Sequence, residues 1–584
     1  MIKSVSWSKQ PSLTALAAGT LIATGYLFSG SATAADAADG PPKGAIFDDT
    51  KIQQLDDRDA ARQRSRSRRA PSHQPRTDTA PAAVPAADGH APAPAAASHD
   101  TPEPINHHVE PVHDDRARPA EFDRSQFGGD PVYDDLAYDP DEQLEIYGGK
   151  KAVYRVAPLI EWPEPMYQEG PLGEGWEIIG RKNPVRPQLL VYGDFKSVVA
   201  YNDNGNAELA QAVAQLNIDI DLKLTATERI HAFMQPLQDN RSITRTEFGG
   251  GDKSLKEDEL VFDPKLETLF LEGDLGAIIS GLTDEYTTYD LPFAIGVFPT
   301  FYQNGIWADD DIGGLAFTIP SLNSPTFDIS NMDLIFFYAP ERVTTQAVFD
   351  NKGQAVEDDV SVYAFTTTIE ALSGYIEAGI GYIEDDVDNG NGVDFSYTNV
   401  GVSFTKRYRD LLSYSFRFIG NFGQDPGNGI AKTADGELFI LETSFVTHLP
   451  STLVPYVNVW YGNGKPRSLI RDNGGILKNV GINFETDALT GFPKLDDTAE
   501  DTFGGAAGVM YLFALDQQLI VEVASVQTHG DRAGRAAPGD QYAIGARYQK
   551  PLSPAWIIRF DGMFGERENQ ENISGMRMEL RRKF

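Results

Sequence analysis

The 584-residue chain has no cysteine. Disulfide staples, zinc–thiolate sites and thiol catalysis are therefore excluded, and stability must come from an extensive hydrogen-bonded framework. Beyond the N-terminal thirty or so residues there is no long apolar run. A bilayer-spanning helix needs about 18 or more apolar residues, so a membrane-spanning form of this chain must cross with strands. Histidine is scarce where catalysis would need it. Six of the nine histidines (His73, His90, His99, His107, His108 and His113) lie near the N-terminus, leaving His231, His448 and His529 for the rest. Positive charge is the minority sign, 50 Lys and Arg against 85 Asp and Glu, which argues against nucleic-acid binding. No glycine-rich phosphate loop or haem motif is found, and no cofactor is expected.

Residues 1–34 have the parts of a secretory signal: Lys3 and Lys9, an apolar run from Leu13 to Phe28, and Ala32-Thr33-Ala34 before Ala35. Residues 35–130 are rich in Ala, Pro, His and Arg, with an arginine run at Arg62, Arg64, Arg66, Arg68 and Arg69. Too little apolar surface is available there to offset chain entropy, so a disordered periplasmic linker is expected. Contact with peptidoglycan, anionic lipid or a metal is the sharper reading, and a solvated tether the plainer and preferred one, because no ligand spacing recurs. Residues 131–187 carry Tyr133, Leu144, Ile146, Trp162, Trp176 and Ile178 among prolines and glycines, and read as a periplasmic lead-in or small plug.

From Gln188 the texture changes to eighteen runs of alternating apolar and polar residues. That is the signature of an all-β, antiparallel, up-and-down transmembrane barrel, here of about 18 strands (16 to 18) over 188–584. Leu216, Ile218, Ile220, Leu222 and Leu224 share one face, and Asn217, Asp219, Asp221 and Lys223 the other. Phe416 and Phe418 against Arg417, and Phe560 against Arg559 and Asp561, repeat the pattern. Connections also sort by parity, short after most even-numbered runs and long after most odd-numbered ones, as barrels with periplasmic turns and outer loops require. The connections near 282–290 and 320–331 are longer than this rule allows. Tyr192, Tyr201, Tyr408, Tyr461, Tyr511, Tyr548 and Trp556 fall near run ends and suit interfacial girdles.

The inward positions define the candidate site. They include Asp194, Lys196, Asp219, Asp221, Lys223, Glu272 and Asp274 on early strands, Arg417 midway, and Arg547, Arg559, Asp561, Arg577, Glu579, Arg581 and Lys583 on late ones. Closure pairs the last strand with the first, so these two sets should lie side by side. Such a wall either orients charged solutes or simply neutralises itself. The loop 464–502 carries Leu469, Ile470, Ile476, Leu477, Val480, Phe484 and Leu489, more apolar surface than a free loop needs, and is expected to fold inward or over the mouth and narrow the pore. Acidic clusters in presumed outer loops (Asp309, Asp310 and Asp311; Glu384, Asp385, Asp386 and Asp388; Asp496, Asp497, Glu500 and Asp501) are candidate calcium or magnesium ligands bridging to lipopolysaccharide. A solvated acidic rim is the preferred reading, since none matches a complete calcium-loop pattern.

The ending Met576 to Phe584, alternating and closed by an aromatic residue, resembles the final strand of bacterial outer-membrane proteins. That resemblance implies recognition of Phe584 by the outer-membrane assembly machinery, with outer-membrane lipid and lipopolysaccharide as surroundings. Strand count, loop parity and inward arginines together resemble the alginate-export porin group, whose eighteen-stranded monomeric barrel passes an anionic polysaccharide along an arginine-lined lumen. The stretch Leu291–Pro299, followed by Gln303-Asn304-Gly305-Ile306-Trp307, looks family-defining. The expected function is therefore an outer-membrane channel for polar or charged solutes. A structural anchor with a cell-wall-binding arm and a barrel lipase or protease are the alternatives.

Overall fold

A computed structural model describes residues 156–584 apart from 165–172, 240–241, 250–257, 350–355, 357–358, 388–391, 410, 428, 448–451, 488, 514–516 and 531–534. The signal, linker and N-terminal half of the lead-in, with Asp388 and His448, lie outside the described residues.

Eighteen wall strands close into one antiparallel barrel. They are β1 Gln188–Asp203, β2 Glu208–Lys223, β3 in two pieces (Arg229–Met234 and Arg245–Gly249), β4 Leu266–Asp274, β5 Pro292–Tyr302 and β6 Ala308–Ser324. They continue with β7 Ile329–Glu341, β8 Val360–Ala371, β9 Gly374–Asp385, β10 Tyr397–Tyr408, β11 Leu412–Phe422 and β12 Asp435–Phe445. The last six are β13 Leu453–Lys465, β14 Thr502–Phe513, β15 Gln517–Thr528, β16 Gln541–Ser553, β17 Trp556–Arg567 and β18 Ile573–Lys583. Closure is made by β18 on β1, in register from Asp194 opposite Lys583 to Asp203 opposite Ser574. No edge is left along that stretch, so the backbone groups of the seam are satisfied without water.

Parity is clear from β7 to β12, where the short turns 372–373 and 409–411 alternate with the long connections 342–359, 386–396 and 423–434, whereas farther on the even connection 446–452 is longer than the odd one 568–572. The two long even-numbered connections expected from the sequence have separate causes. The 320–331 connection disappears, because β6 and β7 run on to a short 3-10 turn, Pro325–Phe327, leaving a tight link. The 282–290 connection is real and follows an α-helix, α1, Leu275–Thr283. No helix among the described residues is long and apolar enough to cross a membrane.

Along each strand alternate side chains point out, and the outward set is apolar: Ile295, Val523, Ile544 and Phe564 are each about half exposed, and Tyr338 stacks on Tyr363 across β7 and β8 at 4.8 Å. In water this sheet face would be a costly unpartnered surface far larger than a soluble monomer carries. The lead-in adds one short strand, Ile160–Trp162, against β1 at Leu189–Val191. It occupies the stretch of β1 below the point where β18 begins, and extends the wall there. Phe584, at the end of β18, exchanges two backbone hydrogen bonds with Gly193 and packs against Val156, Ala555 and Trp556.

Candidate functional site: a lumen filled by one inturned loop

The lumen is divided, and the loop between β13 and β14 divides it. Residues 466–501 turn inward, one of the two placements their apolar surplus allows, and Leu469, Ile470, Leu477, Val480 and Phe484 have no measurable exposure. They pack against inward residues of β7 to β13, among them Phe337, Val362, Ile383, Ile419, Leu438, Ile440 and Trp460. The part of the interior where the loop docks is therefore apolar and closed to water.

The docking seat is the Gln303–Trp307 turn, whose meaning the sequence left open. Gln303 and Asn304 take left-handed φ values of 54° and 58°, which tightens the turn and sends Trp307 into the barrel. Its indole N–H donates to Asn399 Oδ1 at 2.6 Å. Gly379 and Gly401 leave the space: a Cβ on either would stand 2.6 or 2.5 Å from the Trp307 ring. The loop then binds the turn's backbone. Leu469 N donates to Trp307 O at 2.8 Å, Ser468 Oγ to Ile306 O at 2.7 Å, and the buried Arg471 guanidinium to Gly305 O. Ile470 and Arg471 extend alongside Ala308 and Asp309 as a parallel pair.

Two further clamps hold the loop from the opposite wall. Glu522 of β15 is fully buried and accepts from Tyr456 Oη at 2.6 Å, Ile482 N at 3.1 Å, Asn483 N at 3.0 Å and Asn483 Nδ2 at 2.8 Å. Sequence reasoning missed it, although a lone carboxylate in Leu519–Val526 was a usable signal. The second clamp is the basic ladder. Arg547 and Arg559 meet Glu485 of the loop at 2.6 and 3.3 Å, and Arg577 meets Asp487 at 3.0 Å. Asp561 lies between Arg547 and Arg559 at 2.7 and 2.8 Å, and Arg577 also pairs with Glu579.

The other predicted inward residues fall as follows. Acidic and basic ladders do adjoin: Arg581 pairs with Asp194 across the β18–β1 seam, and Lys196, opposite Arg581, donates to Gln215 at 3.0 Å. Asp221 reaches Arg229 at 3.3 Å, and Glu272 lies 3.1 Å from His231, which stacks on Phe270. Asp219 and Lys223 share Asp221's face, opposite Phe233 and Arg229. Arg417 is joined to Glu442 at 2.6 Å. Asp274 is a correction. It is the N-cap of α1, accepting from Ala277 N at 2.8 Å and Leu291 N at 3.1 Å, and its carboxylate serves the turn end instead of the lumen. A capping carboxylate and an inward one look alike in an alternating pattern.

The acidic clusters also need correction, because they are not a free outer rim. Asp309 to Asp311 open β6, where Lys478 meets Asp309 at 2.5 Å and Asp310 accepts from Thr344 N and Asp311 N. Asp385 accepts from Phe395 N and Val387 N, and Asp386 from Ser361 Oγ. Glu500 holds Arg467 at 2.5 Å, Asp497 pairs with Lys494, and Asp501 accepts from Gly464 N. Many of the carboxylate oxygens in these clusters are committed to protein donors, and among the described residues no three or more His, Asp or Glu are grouped to hold a metal.

In the inturned loop, burial and, after it, the adjacent Asp497 carboxylate push the Asp496 carboxyl up to about 7. Desolvation shifts Asp472 the same way. A carboxyl raised by docking favours the docked loop below the ordinary carboxylate range, and that advantage is lost as pH rises through about 7. Conductance noise from loop movement should therefore grow between about pH 4 and about pH 7, and Asp496→Asn should flatten the dependence. An identical pH profile in that variant would rule Asp496 out as its source.

No protein-family model and no curated protein matches the chain. Solved structures do resemble it. Pseudomonas aeruginosa OccK2 (OpdF) aligns at 9% identity and TM-score 0.45 over 68% of this chain and 97% of its own. OccK5 (OpdH) of the same organism aligns at 10% and 0.42, over 68% and 98%. The P. aeruginosa outer membrane protein OpdK aligns at 8% and 0.43, again over 68% and 98%. Scores this low carry nothing about solute or mechanism, and the barrel stands on the chain's own strand register.

Proposed function

We propose that this chain is an outer-membrane, porin-like channel and not an enzyme, and that it passes small polar or charged solutes along the wet side of a partly filled lumen. One observation carries the reading: a sheet closed on itself bears apolar residues on its whole outer face and ionisable ones inside. Water-accessible inward groups gather on the β1–β4 and β16–β18 side, where Glu272, Glu485 and Arg581 each retain a third or more of their exposure. The two described histidines support transport over catalysis. His231 lies beside the Asp221 and Glu272 carboxylates and stacks on Phe270, and His529 stacks on Tyr461 while bonding Gly462 O.

The finer reading, an anionic saccharide in an arginine-lined lumen as in alginate-export porins, is weakened by pairing. Arg417, Arg547, Arg559, Arg577 and Arg581 each face a carboxylate. With wall charges neutralised pairwise, selection by charge sign should be slight. In planar bilayers the protein should conduct, with a reversal potential close to zero in a potassium chloride gradient. A strongly anion-selective reversal potential would restore the polysaccharide reading. Bilayers that stay silent, and liposomes that do not swell in small sugars, would instead favour a plugged anchor.

A further inference from the structure

We infer that the described lead-in residues, 156–164 and 173–187, and α1 form a shelf inserted in the inner leaflet of the membrane, at the headgroup level, and not a surface open to the periplasm. This rests on the barrel's outer face being lipid-facing.

The shelf is built from two segments that meet at the short-turn end of the barrel. Gly180 and Gly281 bring their backbones into contact, so close that a Cβ on Gly180 would stand 1.9 Å from Gly281 O. Trp176 and Val185 form an isolated bridge that holds the lead-in hairpin, and Asn183 donates to the buried Glu228 at 2.7 Å. On the helix side Lys182 donates to Asp284 O and lies over the Tyr286 ring at 4.3 Å. This frame presents Trp176, Ile178, Leu282 and Tyr286, exposed by 62, 71, 70 and 79%.

Two observations name the occupant. First, the apolar surface is continuous with the barrel wall: Ile160 and Trp162 lie opposite Val191 and Leu189, on the outward face of β1, and Trp162 is 62% exposed. Second, the same level is apolar around the circumference, where Phe327, Leu372, Leu411 and Leu552 stand exposed at other short turns. A protein partner would leave the rest of that ring unexplained; a phospholipid monolayer covers all of it. The mixture of Trp, Tyr and aliphatic residues beside the exposed Arg181 suits the boundary between acyl chains and phosphates.

The test uses the full chain in phosphatidylcholine–phosphatidylglycerol vesicles whose acyl chains carry bromine either near the headgroup or near the chain ends. Trp307 and Trp460 are buried inside the barrel and serve as unquenched background. Shallow bromine should quench part of the native emission, and that loss should shrink in Trp162→Phe and again in Trp176→Phe. Val523→Trp, in the middle of the outer belt, should add quenching by deep bromine. Shallow quenching unchanged in both Phe variants overturns the shelf alone, whether its true cover is water, a protein or the chain's own N-terminal region. If Val523→Trp is also untouched by bromine at either depth, the lipid-facing reading of the wall falls with it.

Discussion

Removing residues 470–498 should raise single-channel conductance several-fold. The segment contributes Leu477, Val480 and Phe484 to the apolar filling of the lumen, where Val343, Ala347 and Val348 of the 342–359 connection also pack. Its loss would leave Phe337, Ile383, Ile440 and Trp460 facing water, so the widened pore should also be less heat-stable and should bind apolar dyes. The wall should survive, because its ladders run strand to strand without the loop. Conductance equal to the native value would show that ions never pass through the part of the barrel this loop fills.

Glu522→Ala should loosen the loop without deleting it. The carboxylate satisfies two backbone N–H groups, an asparagine amide and a tyrosine hydroxyl, all inside the barrel. Truncation strands them, and removing one partner from a buried charged cluster costs on the order of 3 kcal/mol. The expected trace is a channel flickering between the native level and a larger one, with the loop newly open to protease. Glu522→Gln, which keeps the shape but offers one acceptor oxygen in place of two, should fall between. Steady native current from Glu522→Ala would mean that Trp307 and the arginine ladder hold the loop unaided.

The wall was legible because lipid on one side and enclosed polar groups on the other impose a period of two. Leu216 to Leu224 and Trp556 to Phe564 each keep it. That 464–502 would cover itself was legible from composition, since Leu469, Ile470 and Phe484 have no reason to sit in an exposed loop, but whether it entered the lumen or lay over the mouth was not. What the charges do was less so. Alternation says that Arg547 and Arg577 point inward, but it does not say that Glu485 and Asp487, far away in sequence, will meet them. Asp309 was read as part of a solvated rim for the same reason, its partners Arg471 and Lys478 being contributed by the loop. Asp274 failed differently: a helix begins where the alternation ends, and its cap occupies the last inward position.

The seat of the loop draws on both ends of the polypeptide. Asn202 and Gln211, from the first two strands, donate to Thr490 O at 2.6 and 2.7 Å, while Arg577 on the last strand takes Asp487 at 3.0 Å. That pocket exists only once the final hairpin has zipped onto the opening one, so seating of the loop is completed after the seam. The Asp487–Thr490 stretch is therefore the last part of the filling to settle, by a step that needs no new strand.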